Sequence, residues 1–588
     1  MIDLGKESHV HRLYTAIESS REALRPFRRN RKRMVQEYVG SWYNSSGAPY
    51  EVLVNLMNMT ADVYTIGLAA SNPRCRVTTR YRDLWPFAYR YQKNLNDYIE
   101  EIRFSDTLQA IVLDAFFSFG MAKTFQADWK SIQLEDDIWA DPGRPYTMRI
   151  SPDDCGFDMS VKDYRRCKFI WDEYRVSWDS LRNDSDMDKS VIKRMNPTSK
   201  WERPDEQAND ITSGDLTDND EYEPMVDLMD VYLPDLDAVG IFPRHITSKP
   251  LKLVDAGVEG GPYSRLSLAD TPDNAMPVSP AMNQMGLHLL YNGLLRKQAR
   301  QAKRQKTNPT FRASATSDAD RMKRVNDGDW VKVQDPSAIN IVSQGGVDQA
   351  NVLFSVNVLD LFDRQAGNLQ AMAGLGPQAG TVGQEEIIHN AVSRKEAKMQ
   401  QRVHRFTVDV IGGLGQLMWA DEFLEVNSSM EVAPGTGVHI DSSWTPEMRE
   451  GDFWQYNFDV EPYSMNYESP ETKLMKLERA LNQAVQLFPM IQQAGGTIDV
   501  QQIMRDYGAL QNTPEIENWV TFSMPSVLPQ PNPTGGSMPQ QTSRTYVRKN
   551  VATGGTPQAR SDNLKDMLSR GFNGSGGSGQ ANSVVKAG

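Results

Sequence analysis

Cysteine is nearly absent: Cys75, Cys155 and Cys167 are the only three in 588 residues, an odd number with no CxxC pair. That excludes a disulfide framework and a spaced-thiolate zinc site, and it reads as buried or incidental thiols in a protein that folds in a reducing cytoplasm. Long apolar runs are missing too. No stretch approaches the roughly 18 residues of a membrane span, and the start of the chain, with Asp3, Lys6 and Glu7, lacks the apolar core of a signal peptide. No GxxxxGK[ST], HExxH or GxSxG motif occurs, so neither a P-loop ATPase nor the zincin and serine-hydrolase classes are indicated. The seven histidines do not pair at ligand spacing, apart from His9 and His11 near the N-terminus. His288 and His389 read as interface or core residues. Asp153, Asp154 and Asp158 lie close together, but no histidine or spaced Glu completes a ligand set, so Asx-turns and strand edges account for them. No catalytic, metal or cofactor-binding residue is assigned.

A local absence says more. No Asp or Glu occurs between Asp273 and Asp318, where the chain-wide frequency would place roughly six, and this exclusion is electrostatic in character. The segment opens on Ser279-Pro280, a capping serine followed by a proline suited to the first helical position. Leu287, Leu290 and Leu294, then Leu295, Ala299 and Ala302, give a helix with an apolar or small side built to pack. Arg296, Lys297, Arg300, Lys303, Arg304 and Lys306 load its end. The alternatives are contacts with an anionic partner or a solvated face with cations near a helix C-terminus.

Asn308-Pro309 ends this helix. A small β-like module follows, with a turn at Asp327-Gly328 and strands at Trp330-Val331-Lys332-Val333 and Ile339 to Val342. From Val347 to Met372 the pattern is helical again through Val352, Val356, Leu359 and Phe362. Gly374, Leu375, Gly376, Pro377, Gln378, Gly380, Thr381 and Gly383 then form a loop. A long helix starts near Gln384, with an apolar seam of Val403, Phe406, Val410, Leu414 and Leu417. Gly412, Gly413 and Gly415 point to a kink or a close contact near its end, since each costs about 1 kcal/mol in a helix interior.

Elsewhere, His9 to Val39 is helical and basic, with Arg25, Arg28, Arg29, Arg31, Lys32 and Arg33 at its centre and a kink expected at Pro26. This reads as nucleic-acid contact, docking on a neighbouring subunit, or a solvated face. Further helices are expected at Glu51 to Leu68, Trp85 to Ile102 and Phe104 to Phe119, and strands at Arg76 to Thr79, Lys123 to Trp129, Lys168 to Tyr174 and Met225 to Phe242. Asp205 to Glu223 carries eight acids and no Lys or Arg, which suggests an exposed insertion. Strands are expected at Val438 to Ile440 and Gln455 to Val460, and helices at Thr472 to Gln493 and Val500 to Tyr507. From Pro525 the composition is that of a flexible tail.

Pro277-Val278-Ser279-Pro280, the stretch Gln284 to Lys306, Asn308-Pro309, and the helix, β-module, helix, loop, long-helix order resemble the portal (head-to-tail connector) proteins of tailed bacteriophages, particularly short-tailed ones. The resemblance implies a mainly α subunit with an α+β wing subdomain. Its parts would be an N-terminal wing (1–270), stem helix 1 (271–306), clip (307–346), stem helix 2 (347–372) and tunnel loop (373–383). The long wing helix with wing strands (384–468), crown helices (469–524) and flexible tail (525–588) would follow. It implies a ring of twelve-fold symmetry at one capsid vertex, conducting double-stranded DNA, with no bond chemistry. Implied partners are other copies of the chain, the terminase large subunit, major capsid and scaffolding proteins, and tail adaptors. The implied location is the virion, after synthesis in the host cytoplasm, with no membrane partner and no cofactor. A net charge of −12 suits a conduit, because a mixed or acidic wall lets the phosphate backbone slide. The basic stem end would meet DNA, terminase or tail. The competing classes are a nucleic-acid-processing enzyme and a capsid or scaffold component without a channel.

Overall fold

The computed structural model describes residues 4–40 and 52–461, apart from 129–131, 136–137, 141–142, 198–206, 209–222, 326–329, 331, 336, 338, 368–381, 427–428, 432–438 and 442, together with 464–465 and 478–479. The chain divides into two units, Met1–Val520 and Thr521–Gly588, and all described residues belong to the first. The acidic insertion apart from Gln207, Ala208 and Glu223, the late helices apart from 478–479, the tail, and the loop from Gly374 to Thr381 lie outside the described residues. Helices and several sheets are mixed along the chain.

In chain order the elements are α1 (Glu7–Val39), α2 (Leu56–Ala69), β1 (Cys75–Thr79), α3 (Trp85–Glu101), α4 (Phe104–Phe117), β2 (Gly120–Ala127), β3 (Ile132–Glu135), β4 (Ile138–Ala140), β5 (Arg144–Ile150), β6 (Cys155–Phe157) and β7 (Ile170–Ser177). Then come α5 (Trp178–Asn183), α6 (Lys189–Ile192), β8 (Met225–Leu233), β9 (Ala238–Pro243), β10 (Lys252–Asp255), β11 (Tyr263–Leu266), α7 (Pro280–Lys303), β12 (Lys306–Phe311), α8 (Thr316–Met322) and β13 (Ile339–Gln344). The last are α9 (Gln349–Ala366), α10 (Val382–Ala420), β14 (Ser429–Glu431), β15 (His439–Asp441) and β16 (Tyr456–Val460).

Two antiparallel sheets form the β layer: β10-β9-β8-β7-β6 and β11-β2-β5. One apolar core lies between α1 and these sheets, around Ile17, Leu24, Phe157, Trp171 and Phe242. A second is helical and joins α2, α3 and α4 to the later turns of α10, with Tyr64, Tyr91, Phe116, Val403, Val410, Leu414 and Trp444 buried. A smaller cluster sits under Leu181, Ile192 and Leu228. Two glycines are fixed by close approach. A Cβ at Gly120 would collide with the Ile111 backbone, and one at Gly156 would enter the Trp171 ring. The kink-or-contact expectation for the end of α10 resolves as contact: a Cβ at Gly413 would stand 2.8 Å from Val258 and one at Gly415 3.0 Å from Phe458.

The basic centre of α1 differs from each reading given above at two of its arginines. Arg28 and Arg31 are buried, not solvated and not available to an external partner. Arg28 donates to the Cys155 carbonyl at 3.0 Å, while Arg31 bridges Asp153 and, at 3.1 Å, Asp114. Arg149 closes the group on Asp114 at 2.8 Å. Asp153 is therefore an ion-pair partner, whereas Asp158 accepts the Ser160 N–H at 2.9 Å in an Asx-type turn. Helix α1 runs on through Pro26. The three cysteines are free and buried, and burial pushes the Cys75 and Cys167 thiols up to about 12, so they stay protonated and unreactive at neutral pH.

Candidate functional site

Helices α7 and α9 form an antiparallel pair joined through the β12–β13 ribbon. Ser279 caps α7 by accepting the Met282 N–H at 3.1 Å, with Pro280 in the first helical position. Asp348 caps α9 through the Ala350 N–H at 3.1 Å, and Gly367 ends it at φ 105°, which suits glycine. The pairing is read from side chains: Gln298 donates to the Asn351 carbonyl and to Ser355 Oγ, both at 3.0 Å, and Gln365 donates to the Asn283 carbonyl at 2.6 Å.

Three expectations for this region change. Helix α7 ends at Lys303, so Lys306 opens β12 instead of closing the helix. Residues Lys306–Phe311, not Trp330 to Val333, pair with Ile339–Gln344, with Pro309 opposite Ile341. Trp330, Lys332 and Val333 lie in no strand. A two-stranded ribbon leaves an outer edge on each strand, and that is where proline is tolerated. The leucine row of α7 packs only in part, with Leu287 against the helical core, and it does not supply the fully buried face. That face is Ala281, Gln284, His288 and Asn292, while Leu290 is exposed.

Two members of that buried polar row, His288 and Asn292, are held by specific bonds, whereas Gln284 Oε1 has no partner among the described residues. His288 Nε2 lies 3.3 Å from Glu37 Oε2 of α1. Asn292 Oδ1 accepts the Leu53 and Val54 N–H groups, both at 3.1 Å, and its Nδ2 donates to the Val54 carbonyl at 2.9 Å. Each buried polar group so paired avoids a penalty of about 1–3 kcal/mol. The helix pair is thereby anchored on the body at one end.

Its outward surface carries large apolar side chains. On α9, Leu353 is 61% exposed, Phe354 48%, Val356 58% and Leu361 52%, and only Ser355, Val358, Phe362 and Ala366 are buried. Of the periodic apolar positions Val352, Val356, Leu359 and Phe362, the first two are exposed and Phe362 is buried. Exposed Asn357, Asp360 and Arg364 are interspersed with the exposed apolar residues, the last two as an ion pair at 2.9 Å, and exposed large apolar side chains gathered on one helix mark an interaction site.

The cations gather toward the ribbon end of α7. Lys297, Arg300, Lys303 and Arg304 are exposed and form no ion pair among the described residues. Arg300 Nε donates to the Arg296 carbonyl at 3.3 Å. The side chain of Lys306 lies outside the described residues. Of the loop residues, only Gly383 falls in a described element, at the start of α10.

A separate polar cleft of about 1090 Å³ runs along α10 beside the turn before β11, with Lys398, Arg402, Arg405 and Asp409 on the helix and Arg165 and Glu259 opposite. Its charges largely offset one another. Arg402 pairs with Asp270 at 2.7 Å, and burial raises the Asp409 carboxyl pKa against the opposing pull of Arg165 and Arg405. Among the described residues no group of three or more His, Cys, Asp or Glu could hold a metal ion, and no helix is long and apolar enough to cross a membrane. The sequence matches no protein-family model and no curated protein.

Proposed function

We propose that this chain is a portal-type subunit, assembling into a twelve-fold ring that conducts double-stranded DNA at one vertex of a phage capsid and docks terminase and then tail proteins. The observation that carries the reading is the α7–α9 pair. Its inner face is fixed to the body by polar bonds, its outer face exposes Leu353, Phe354, Val356 and Leu361, and its ribbon end is cationic. Closed rings use one heterologous contact repeated around an axis, and side-by-side packing of such helix pairs would bury Leu353, Val356 and Leu361. Clustered Lys297, Arg300, Lys303 and Arg304 would give weak, salt-sensitive contacts to the DNA backbone or to an acidic surface of terminase or tail. In this reading Gly374 to Gly383 lines the bore and the subunit performs no bond chemistry.

Electron microscopy of the purified protein together with its native mass tests this. A ring with a central bore is the expected outcome; a compact monomer that stays monomeric with capsid or scaffold partners overturns it. Given a ring, deleting residues 374–383 is expected to cut DNA retention and leave the ring intact. Reversing charge at Arg300 and Arg304 is expected to weaken terminase docking or DNA sliding in reconstituted packaging.

A further inference from the structure

A second surface, on β1 and the start of α3, combines exposed arginine with exposed aromatic rings. Strand β1 alternates: Cys75 and Val77 are buried, whereas Arg76 and Thr78, flanked by Arg74 and Arg80, face out. Arg82 and Arg90 are exposed beside them. None of these five guanidinium groups forms an ion pair among the described residues; the nearest acids in sequence or register are Asp83 and, across the ladder, Asp459 opposite Arg76 and Glu461, whose N–H donates to the Arg74 carbonyl at 2.8 Å. In a chain of net charge −12 this is a local reversal of sign.

Aromatic planes run alongside. Tyr81, Trp85 and Tyr89 are each 57% exposed. Trp85 and Tyr89 stand one helical turn apart, about 5–6 Å between Cβ atoms. Trp454 is 64% exposed and lies two residues from Tyr456, which pairs with Thr79 at the same end of β1. The two rows meet where Trp85 Nε1 donates to the Thr79 carbonyl at 3.2 Å.

The platform is rigid. One edge of β1 is laddered to β16. On the other edge the Cys75 N–H donates to Asn96 Oδ1 at 2.7 Å and the Val77 N–H to Gln92 Oε1 at 3.2 Å, both from α3. Both edges of β1 are thus occupied, so a ligand on this strand is recognised by side chains.

We infer that this surface binds a single-stranded polynucleotide, with Arg74 and Arg76 on adjacent phosphates, Arg80 on one further along the strand, and Trp85 and Tyr89 stacking on bases. Alternate residues of a strand repeat every 6.6 Å or so, comparable to the spacing of adjacent phosphates along a stretched single strand. Guanidinium groups match phosphate bidentately, and an aromatic row beside a cationic track is the sequence-tolerant way to hold unpaired bases. The acids Glu450 and Asp452 flank Gly451, which sits against Leu84, so the phosphate track runs along β1 and away from that border. An acidic protein would satisfy the arginines but leave the aromatic row without bases to stack on. The inference stands on these side chains alone and does not depend on the ring reading.

The test is fluorescence anisotropy of labelled oligothymidylate and of a matched duplex with the full chain, titrated with salt. Wild-type protein is expected to bind the single strand more tightly than the duplex, with log K falling against log salt by about 0.7 per phosphate neutralised. The triple variant Arg74→Gln, Arg76→Gln, Arg80→Gln, all at exposed positions, should lower that slope by about 2. Tyr89→Ala should weaken binding by roughly five-fold to a hundred-fold with the slope unchanged, and Trp85→Phe should remove part of the tryptophan quenching seen on binding. An Arg300→Gln, Arg304→Gln control should leave that quenching intact. The inference is overturned if wild-type protein does not bind oligothymidylate at low salt, if the triple variant binds with an unchanged slope, or if duplex binds as tightly and Tyr89→Ala has no effect. It is overturned equally if the triple variant alters only self-association or capture of an acidic protein.

Discussion

The exposed face of α9 gives the sharpest test of assembly, and Leu353 is its most exposed leucine. Burying a whole leucine stabilises by about 1.5–3 kcal/mol, so covering the 61% still exposed is worth about 1–2 kcal/mol per contact. Leu353, Phe354, Val356 and Leu361 together give about 3–7 kcal/mol on the same basis, against an association cost of about 4–15 kcal/mol. One such face is therefore marginal for a dimer, while a closed ring, in which every subunit uses two faces, gains stability cooperatively. Leu353→Ala is expected to raise the protein concentration needed for assembly by roughly five-fold to thirty-fold, the equivalent of that loss. Leu353→Asp, which places an unpaired carboxylate in the contact, is expected to leave monomers. Sedimentation velocity across a concentration series reads both, with Lys297→Gln as an exposed polar control. Wild-type assembly by Leu353→Asp would refute the assignment of this face as the subunit contact, whatever the ring's symmetry.

Other perturbations address the body of the fold. Lys123 is buried between Asp172 (2.8 Å) and Asp230 (2.7 Å), so Lys123→Met strands two carboxylates and is expected to destabilise by about 3–5 kcal/mol near neutral pH. Burial already holds the Asp172 pKa above the ordinary carboxylate value. The folded state thus binds its proton more readily than the unfolded state, and stability falls as pH rises through the folded pKa. Urea unfolding should therefore show a larger deficit for Lys123→Met at pH 8 than at pH 5, and an equal deficit would contradict this account. Arg31→Met should cost a similar amount by leaving Asp153 without its cation, measured as a lower urea midpoint and faster proteolysis within α1. Gly156→Ala forces a methyl into the Trp171 ring and should cost about 1–3 kcal/mol, seen as a drop in the urea midpoint with unchanged slope.

What could be read from the sequence was local. The Ser279-Pro280 start of α7, the apolar α4 and the strand before α3 follow from caps, periodicity and turn residues within a few positions. Partners distant in sequence could not be read. Arg31 looked like surface because Asp114 and Asp153 are 83 and 122 residues away. The ribbon partner of Ile339–Gln344 looked like a helix end because Asn308-Pro309 stops helices wherever it occurs, whether or not the chain next enters a strand. The polar row Gln284, His288, Asn292 carried a helical spacing of four that hydrophobic periodicity ignores, and searching for polar residues at that spacing would have found it.

The inverted pattern of α7 and α9 bears on how these helices work together. In an isolated subunit, burying Gln284, His288 and Asn292 while exposing Leu290, Leu353 and Val356 gives up hydrophobic stabilisation on both faces. In the proposed assembly, covering the outer face would recover that loss. The two faces would then do different work: apolar contact would supply most of the association energy without fixing direction, while Asn292 on Val54 and His288 on Glu37 set the angle at which the helix pair leaves the body. Buried polar contacts of this kind specify geometry more than they stabilise it. An assembly built on such a pair inherits its subunit angle from three buried polar side chains. Changing Asn292 to Leu would then be expected to alter subunit number or ring regularity before it abolishes association, an outcome that native mass measurement separates directly from the monomers expected of Leu353→Asp.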